Sequence, residues 1–272
     1  MRHLARDFEV FGLSAVFEAR NLKYSYSDGT DALRGLSFAL GEGEVLALAG
    51  VNGSGKSTLF MLLMGCLEPS GGEVLYNGEN IRGEVRFKLR REVGLLFQNP
   101  DDQLFLPTVR EDVAFGPQNL GLAEDVVAER VASALCATGM EALADRAPWK
   151  LSGGEKTLVA LAGLLAMKPR ALLLDEPSAG LDPRSRLNLI KIIRQIPCSI
   201  IVATHDLDMA IDICDRVIIL NGGVAAKESS IPGLLNDEAF MQSCGLELPL
   251  RYAGRDRGLV SKRTGSFFDE VR

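Results

Sequence analysis

Histidine, tryptophan and paired cysteine are scarce in this chain, and their scarcity removes whole classes of chemistry. Of 272 residues only two are histidine, His3 and His205, and one is tryptophan. The five cysteines, Cys66, Cys136, Cys198, Cys214 and Cys244, are odd in number and widely spread. No C-x-x-C pair occurs, so a zinc cluster of the usual ligand spacing cannot be built. Buried, reduced thiols in a cytosolic protein are the expectation. Asp212, Cys214 and Asp215 read as ordinary positions on a helix, Asp206 to Cys214, rather than as metal ligands. Excess positive charge is absent too: 30 Lys and Arg face 36 Asp and Glu, a net of −6. That balance argues against a partner bound through bulk charge, and no nucleic acid is expected. The longest apolar run, Leu158 to Met167, is about half the roughly 20 residues a membrane-spanning helix needs. Met1 to Arg20 carries Arg2 and Arg6 but also Asp7 and Glu9, and lacks the apolar stretch of a signal peptide.

What remains is an ordinary globular composition, 47% hydrophobic and 24% charged, at a length of one or two domains. Five short runs are continuously apolar and read as buried parallel strands: Val45–Ala49, Val93–Phe97, Ala171–Leu174, Ser199–Ala203 and Val217–Leu220. Helical patterns lie between them at Lys56–Cys66, Val126–Gly139, Lys156–Met167 and Arg184–Gln195. Alternation of this kind predicts an α/β fold with a parallel sheet. Ligands in such sheets sit beyond the carboxyl ends of strands. The residues found there are Gly50, Gln98, Asp175 and the pair Thr204-His205, so four separated segments converge on one crevice. Val16 to Leu40 alternates and turns at Ser27-Asp28-Gly29-Thr30, which predicts an antiparallel β layer. Residues 99–168 are expected to form a small, mainly helical subdomain, with Pro100, Pro107 and Pro117 punctuating the approach to one good helix. The main domain spans 16–225. Residues 226–272 supply a helix around Leu234–Cys244 and, from Tyr252 on, a charged tail expected to be mobile.

Gly50-Val51-Asn52-Gly53-Ser54-Gly55-Lys56-Ser57-Thr58 matches the phosphate-loop pattern G-x4-G-K-[ST], with a strand before it and a helix after it. Glycines let successive N–H groups turn inward around phosphate oxygens, and the helix adds its positive end. Lys56 would bridge the β- and γ-phosphates of ATP, and Ser57 would ligate Mg²⁺. The strand Ala171–Leu174 ends in Asp175-Glu176-Pro177. Asp175 would hold a water of that Mg²⁺, and Glu176, pointing elsewhere, would polarise the attacking water. Leu151-Ser152-Gly153-Gly154-Glu155 opens a helix with an S-x-x-E capping box. Capping gives no reason for two glycines in the first turn, each costing about 1 kcal/mol against alanine. An anion approaching Ser152, Gly153 and Gly154 would give one. The chain's own loop already has a helix for its phosphate, so that anion is more plausibly held by a second subunit.

With these motifs in this order the chain resembles the nucleotide-binding subunits of ATP-binding cassette (ABC) transporters, over about Val16 to Asn221. The motifs are the phosphate loop, Phe97-Gln98, LSGGE, Leu172–Pro177, Ser178-Ala179-Gly180-Leu181-Asp182 and Ala203-Thr204-His205-Asp206. The resemblance implies a P-loop NTPase (RecA-like) core and a head-to-tail dimer with two ATPs. Each ATP would lie between one subunit's loop and the other's Ser152-Gly153-Gly154. It further implies that Gln98 senses Mg²⁺ and the attacking water, that Asp182 links the two sites, and that His205 contacts the γ-phosphate. Tyr26 falls where the family stacks an aromatic on adenine, with Tyr24 as the other candidate. Val51 stands where proline is frequent, Glu155 where glutamine is common, and Thr157 and Leu158 where basic residues are common. His3 gets no role.

Leu96 to Phe105, Val113-Ala114-Phe115-Gly116-Pro117 and Gly245-Leu246-Glu247-Leu248-Pro249 look like the energy-coupling-factor branch, and most like the ATPases of cobalt and nickel importers. In that branch the partners are a second ATPase subunit, identical or paralogous, a transmembrane T component and a substrate-binding membrane component. The ATPase would sit peripherally on the cytoplasmic face of the membrane, and Gln103, Leu104 and Phe105 are the expected contacts to the T component. A vitamin importer of the same branch competes with the metal reading, as does a nontransporting assembly ATPase. A DNA-associated ABC ATPase would need a coiled-coil insertion or a basic surface, and a P-loop kinase would lack LSGGE.

Overall fold

The structure, a computed structural model, describes residues 15–246 and Pro249. Strands β1 (Ala15–Ser25) and β2 (Asp31–Gly41) lead into β3 (Val45–Ala49) and helix α1 (Lys56–Leu63). β4 (Gly71–Tyr76), β5 (Glu79–Asn80), α2 (Gly83–Glu92) and β6 (Val93–Leu96) follow. Three helices come next, α3 (Val109–Asn119), α4 (Glu124–Thr138) and α5 (Gly153–Ala166). β7 (Ala171–Asp175), α6 (Pro183–Ile193), β8 (Ser199–Thr204), α7 (Leu207–Ile213) and β9 (Arg216–Asn221) complete the alternation. β10 (Val224–Ser230), α8 (Ile231–Leu235) and α9 (Glu238–Ser243) close the described chain.

The main sheet has the order β10-β9-β3-β8-β7-β6, with β3, β6, β7, β8 and β9 parallel and β10 antiparallel at one edge. Alternate residues of each parallel strand point to opposite faces, and both faces are buried, which is why these strands are apolar throughout. On one face Ala47, Leu172, Ile200 and Val217 pack with Leu189 and Ile193 of α6 and Met209 of α7. On the other, Leu48, Leu173, Ile201 and Ile218 pack with Leu59 and Phe60 of α1. The second layer is an antiparallel sheet, β2-β1-β4-β5, whose Phe17, Leu22, Leu36 and Tyr76 join that same cluster. This is the α/β P-loop fold with its antiparallel layer. The helices α3, α4 and α5 bury a third cluster, including Val113, Val131 and Val159. α5 serves both bodies, since Leu158 and Leu161 face the main sheet while Val159 and Ala162 face the helices.

Several expectations need correction. The stretch before α4 contains a full helix, α3, and Pro117 lies inside it rather than punctuating an approach. Thr108 caps α3 with a complete capping box to Glu111, and the buried face of Val109, Val113 and Ala114 holds the helix across that proline. Helix α1 stops at Leu63 instead of Cys66, because Gly65 turns left-handed at φ 64. The single helix around Leu234–Cys244 is two, because Asp237 leaves the helical path to cap α9 through the Phe240 amide and to pair with Lys227. Strand β4 was not foreseen. It reaches the free edge of β1 only because Gly72, at φ 74, has no Cβ, which would lie 2.2 Å from the Asn21 carbonyl oxygen. The tail from Tyr252 and His3 lie outside the described residues.

One cation ties the layers. Arg216, at the start of β9, donates to Glu44 at 2.7 Å and to the Ala39 carbonyl of β2 at 2.5 Å, and it pairs with Glu228 of β10. All three charged side chains are less than a fifth exposed. Removing the cation leaves two largely buried carboxylates without it. Arg216→Ala should therefore lower stability by about 2 kcal/mol, below the ~3–5 kcal/mol of a fully buried pair because water reaches this one. A urea midpoint equal to the parent's would contradict that role.

Candidate nucleotide site

The carboxyl ends of β3, β8, β7 and β6 lie side by side, in that order, in the parallel sheet. From β3 the chain enters the glycine loop. Gly55 sits at φ 109, and a Cβ there would lie 2.6 Å from the Ala32 carbonyl; one at Gly50 would lie 2.4 Å from that of Leu220. A side chain at Gly55 would push the loop off β2, and one at Gly50 would push it off β9. Lys56 is only 6% exposed, and its Nζ donates to the carbonyls of Gly50 (2.7 Å) and Val51 (3.3 Å). Ser54 is buried, with a hydroxyl that has no hydrogen-bond partner.

Asp175 and Glu176 diverge as adjacent residues of a strand end must. Asp175 accepts the Ser57 hydroxyl at 2.7 Å. Glu176 turns left-handed (φ 46), a conformation rare outside glycine, and its amide donates to Ala203 of β8. Its Oε2 accepts from the Thr204 hydroxyl at 3.2 Å, with His205 Nδ1 at 2.9 Å. Its Oε1 has no hydrogen-bond partner and lies 3.5 Å from Lys56 Nζ. A buried carboxylate oxygen left open in this way suits a group that takes up water.

Tyr26, Asn52, Gly53, Gly55, Lys56, Ser57, Thr58, Gln98, Asp175 and Glu176 line one cleft of about 460 Å³. Tyr26 is exposed there, its hydroxyl 2.8 Å from the Thr58 hydroxyl oxygen. Tyr24 is half-buried against the core and meets Tyr26 edge-on. Ser152, Gly153, Gly154, Asp182 and His205 do not line the cleft. Ser152 caps α5, its Oγ donating to Glu155 at 2.8 Å. The two glycines have different reasons. A Cβ at Gly154 would lie 2.9 Å from Ser185 Oγ, so internal packing accounts for it, whereas Gly153 faces open space. Asp182 caps α6 and accepts the Ser185 hydroxyl at 2.5 Å, which holds it below the ordinary carboxylate range. Among the described residues no group of three or more His, Cys, Asp or Glu is arranged for a metal ion. The donor set at Ser57, Asp175 and Gln98 fits a Mg²⁺ that takes its other ligands from phosphate and water.

Comparison with known proteins agrees with this geometry. The ABC transporter family model matches residues 33–179, more than half of the chain. The chain belongs to the ABC transporter family. It is an ATPase of that family, and ATP with Mg²⁺ is its cofactor. It is 52% identical over 231 residues to a putative ABC transporter ATP-binding protein of Gloeobacter violaceus, spanning 84% of this chain and 95% of that one. It is 47% identical over 239 residues to the energy-coupling factor transporter ATP-binding protein EcfA of Methanothermobacter thermautotrophicus, 86% of this chain and 77% of that one. Among solved structures it is similar to CbiO1 of Clostridium perfringens, part of the cbiONQ transporter complex. The TM-score is 0.77 at 39% identity, covering 88% of this chain and 98% of that one. An ATP-binding cassette dimer bound to ADP and Pi superposes with a TM-score of 0.73 at 26% identity, covering 79% and 98%.

Burial pushes Asp175 above the ordinary carboxylate range and the charge of Glu176 adds to it, against the Ser57 hydroxyl and Lys56. A carboxyl whose folded value is raised costs stability while ionised, and that cost fades as pH falls through the folded value. In the ATPase without nucleotide, Asp175→Asn should therefore melt a few degrees higher at pH 7 and lose the further stabilisation given by Mg-ATP. A variant that gains as much from Mg-ATP as the parent would remove Asp175 from the Mg²⁺ site.

Proposed function

We propose that this ATPase drives an energy-coupling-factor importer, with cobalt or nickel ions as the cargo, as one of two subunits that share their ATP sites. The observation that carries this reading is that the cleft is half a site. Loop, carboxylates, Gln98 and Tyr26 gather there, while Ser152-Gly153-Gly154 and Asp182 stand elsewhere with Gly153 open to approach. A second copy or a paralogue bringing its Ser152-Gly153-Gly154 to the triphosphate supplies the missing wall. Likeness to the energy-coupling factor protein EcfA and to CbiO1 of a cbiONQ complex supports the branch, and the metal cargo rests on the resemblance of Leu96 to Phe105 and Val113 to Pro117 to the cobalt and nickel importer ATPases.

In this mechanism the loop amides of Gly53 to Thr58 and the Lys56 ammonium hold the phosphates, and Tyr26 stacks on adenine. Ser57, Gln98 and, through a water, Asp175 would hold a Mg²⁺, which when bound would neutralise phosphate charge. Glu176 takes a proton from the attacking water as its oxygen bonds to the γ-phosphorus. The bond to the β-phosphate oxygen breaks, and ADP leaves with the electron pair. His205 leaves Glu176 to contact the γ-phosphate.

Among the described residues no helix is long and apolar enough to cross a membrane, so attachment falls to a surface. We leave Gln103 out of that surface, because its amide is taken up within the fold. Its amide donates to the Leu95 carbonyl and accepts from the Phe97 amide, extending the β6 edge. Leu104 is half-buried between two core clusters. Phe105, 63% exposed, and Phe115 meet edge-on at 5.0 Å, and the buried Asp112 anchors the Phe105 and Leu106 amides. We place docking of the T component, on the cytoplasmic face of the membrane, at this aromatic pair.

Phe105→Ser should reduce co-purification of the membrane components by about tenfold with ATP binding intact; full retention would put docking elsewhere. The function itself is tested with the complete complex in liposomes. Co²⁺ or Ni²⁺ should accumulate on ATP addition, and Ser152→Arg should abolish both uptake and ATP-driven association of the ATPase subunits. Vitamin uptake in place of metal would overturn the cargo. Wild-type dimer formation by Ser152→Arg would overturn the shared site.

A further inference from the structure

Glu176 needs a fixed direction if its open oxygen is to meet water, and the exposed partner cannot supply it. The His205 side chain is 60% exposed, so solvent screens its hold on the carboxylate, and its backbone amide adds only a long bond to Oε2 at 3.4 Å. Thr204 is different: fully buried, at the last position of β8, with its hydroxyl on Glu176 Oε2. That hydroxyl also accepts the Asp206 amide at 2.9 Å. With an N–H directed at its lone pair, its single proton is left to point at Glu176.

The Asp206 that places this amide is itself held from several sides. Arg186 of α6 grips its carboxylate with two parallel bonds, 2.9 and 3.0 Å, and the Met209 amide and Ser178 hydroxyl donate at 3.0 and 3.4 Å. Burial alone would raise Asp206, but the bonds from Arg186 and the Met209 amide leave it below the ordinary value, as an anion. Ser178 and Arg186 lie on either side of Asp182 in the chain, and the Arg186 amide donates to the Asp182 carbonyl at 2.9 Å. The segment carrying Asp182 is thus fastened at both ends to Asp206.

We propose that Thr204 is a positioning residue for Glu176, and that the Asp206–Arg186 pair connects it to the Asp182 segment. A contact made at Asp182 then reaches the water-binding carboxylate through Arg186, Asp206 and Thr204 without passing through nucleotide. Thr204 does not line the cleft. The inference rests on the catalytic reading of Glu176.

The test measures steady-state ATP hydrolysis by the full-length ATPase, with ADP binding and a thermal melt for each variant. Thr204→Val keeps the shape and removes the hydrogen bonds. It should lower kcat about tenfold, the scale of one hydrogen bond to a charged group. The KM for ATP and the ADP affinity should stay within twofold. Thr204→Ser should restore most of the rate. Wild-type kcat in Thr204→Val overturns the proposal, and so does a loss of kcat and KM together that Thr204→Ser fails to rescue. Should Thr204→Val not fold, Arg186→Gln replaces it: a severalfold fall in kcat at constant KM supports the link, and an unchanged kcat sinks it. Glu176→Gln is assayed beside them. Normal hydrolysis by that variant would defeat the catalytic reading; an inactive Glu176→Gln beside a fully active Thr204→Val would defeat only this inference.

Discussion

An ammonium group that is folded under a glycine turn loses its water and must find oxygens in the protein. Lys56 finds them in the Gly50 and Val51 carbonyls, with Glu176 Oε1 a little beyond. Two buried carboxylates stand close by, and neither is fully matched: Asp175 leans on one hydroxyl and Glu176 has an oxygen without a donor. Three charges packed into one sheet edge with too few partners make a poor structural core. They make a good receptor for a group that is itself polyanionic and carries a divalent cation. The rest of the architecture serves to hold that edge. β3, β7 and β8 are buried on both faces, and the antiparallel layer backs the glycine loop through Ala32.

The helices α3 to α5 join the main sheet through an apolar face of α5, with Leu158 and Leu161 in its cluster, and polar bonds fix the segment that follows Gln98. Lys156, in the first turn of α5, pairs with Asp101 at 2.6 Å, just after Gln98. Gln103 stitches the same segment to β6, and Asp112 anchors it to α3. The segment that leaves the sheet at Gln98 thus touches the helix capped by Ser152, the helix start at Thr108 and the aromatic pair at once. Asp101, which meets Lys156 in the first turn of α5, stands four residues before Phe105.

A parallel organisation appears at the other strand ends. Gly154 is packed against Ser185, which Asp182 holds, and Arg186 one residue on grips Asp206. The start of α5, the start of α6 and the end of β8 are therefore in contact, although they come from three stretches of chain. Under the proposed shared site, the surface that would meet a second subunit and the groups that would surround the γ-phosphate belong to one bonded unit. That is a physical basis for linking association of subunits to hydrolysis.

Much of this was readable from the residues alone, wherever a local rule suffices. β3, β7 and β8 must be continuously apolar because both faces are buried, and so they stood out. The glycine loop, Asp175, Glu176 and the capping box of Ser152 are local patterns, and each lies where its pattern puts it. Elements whose reason is a distant neighbour were illegible. β4 exists because Gly72 can press against Asn21, β10 is polar because it lies on an edge, and α3 overrides its proline through a cap and a buried face. The explanation of Gly154 by Ser185, the burial of Leu104 and the line from Asp182 to Glu176 also required the tertiary structure. Sequence patterning determined which strands and loops exist, since that follows from burial and turn chemistry along a few residues. Only the order of those strands in the sheet decided which side chains meet across it, because such contacts join positions that no local period connects.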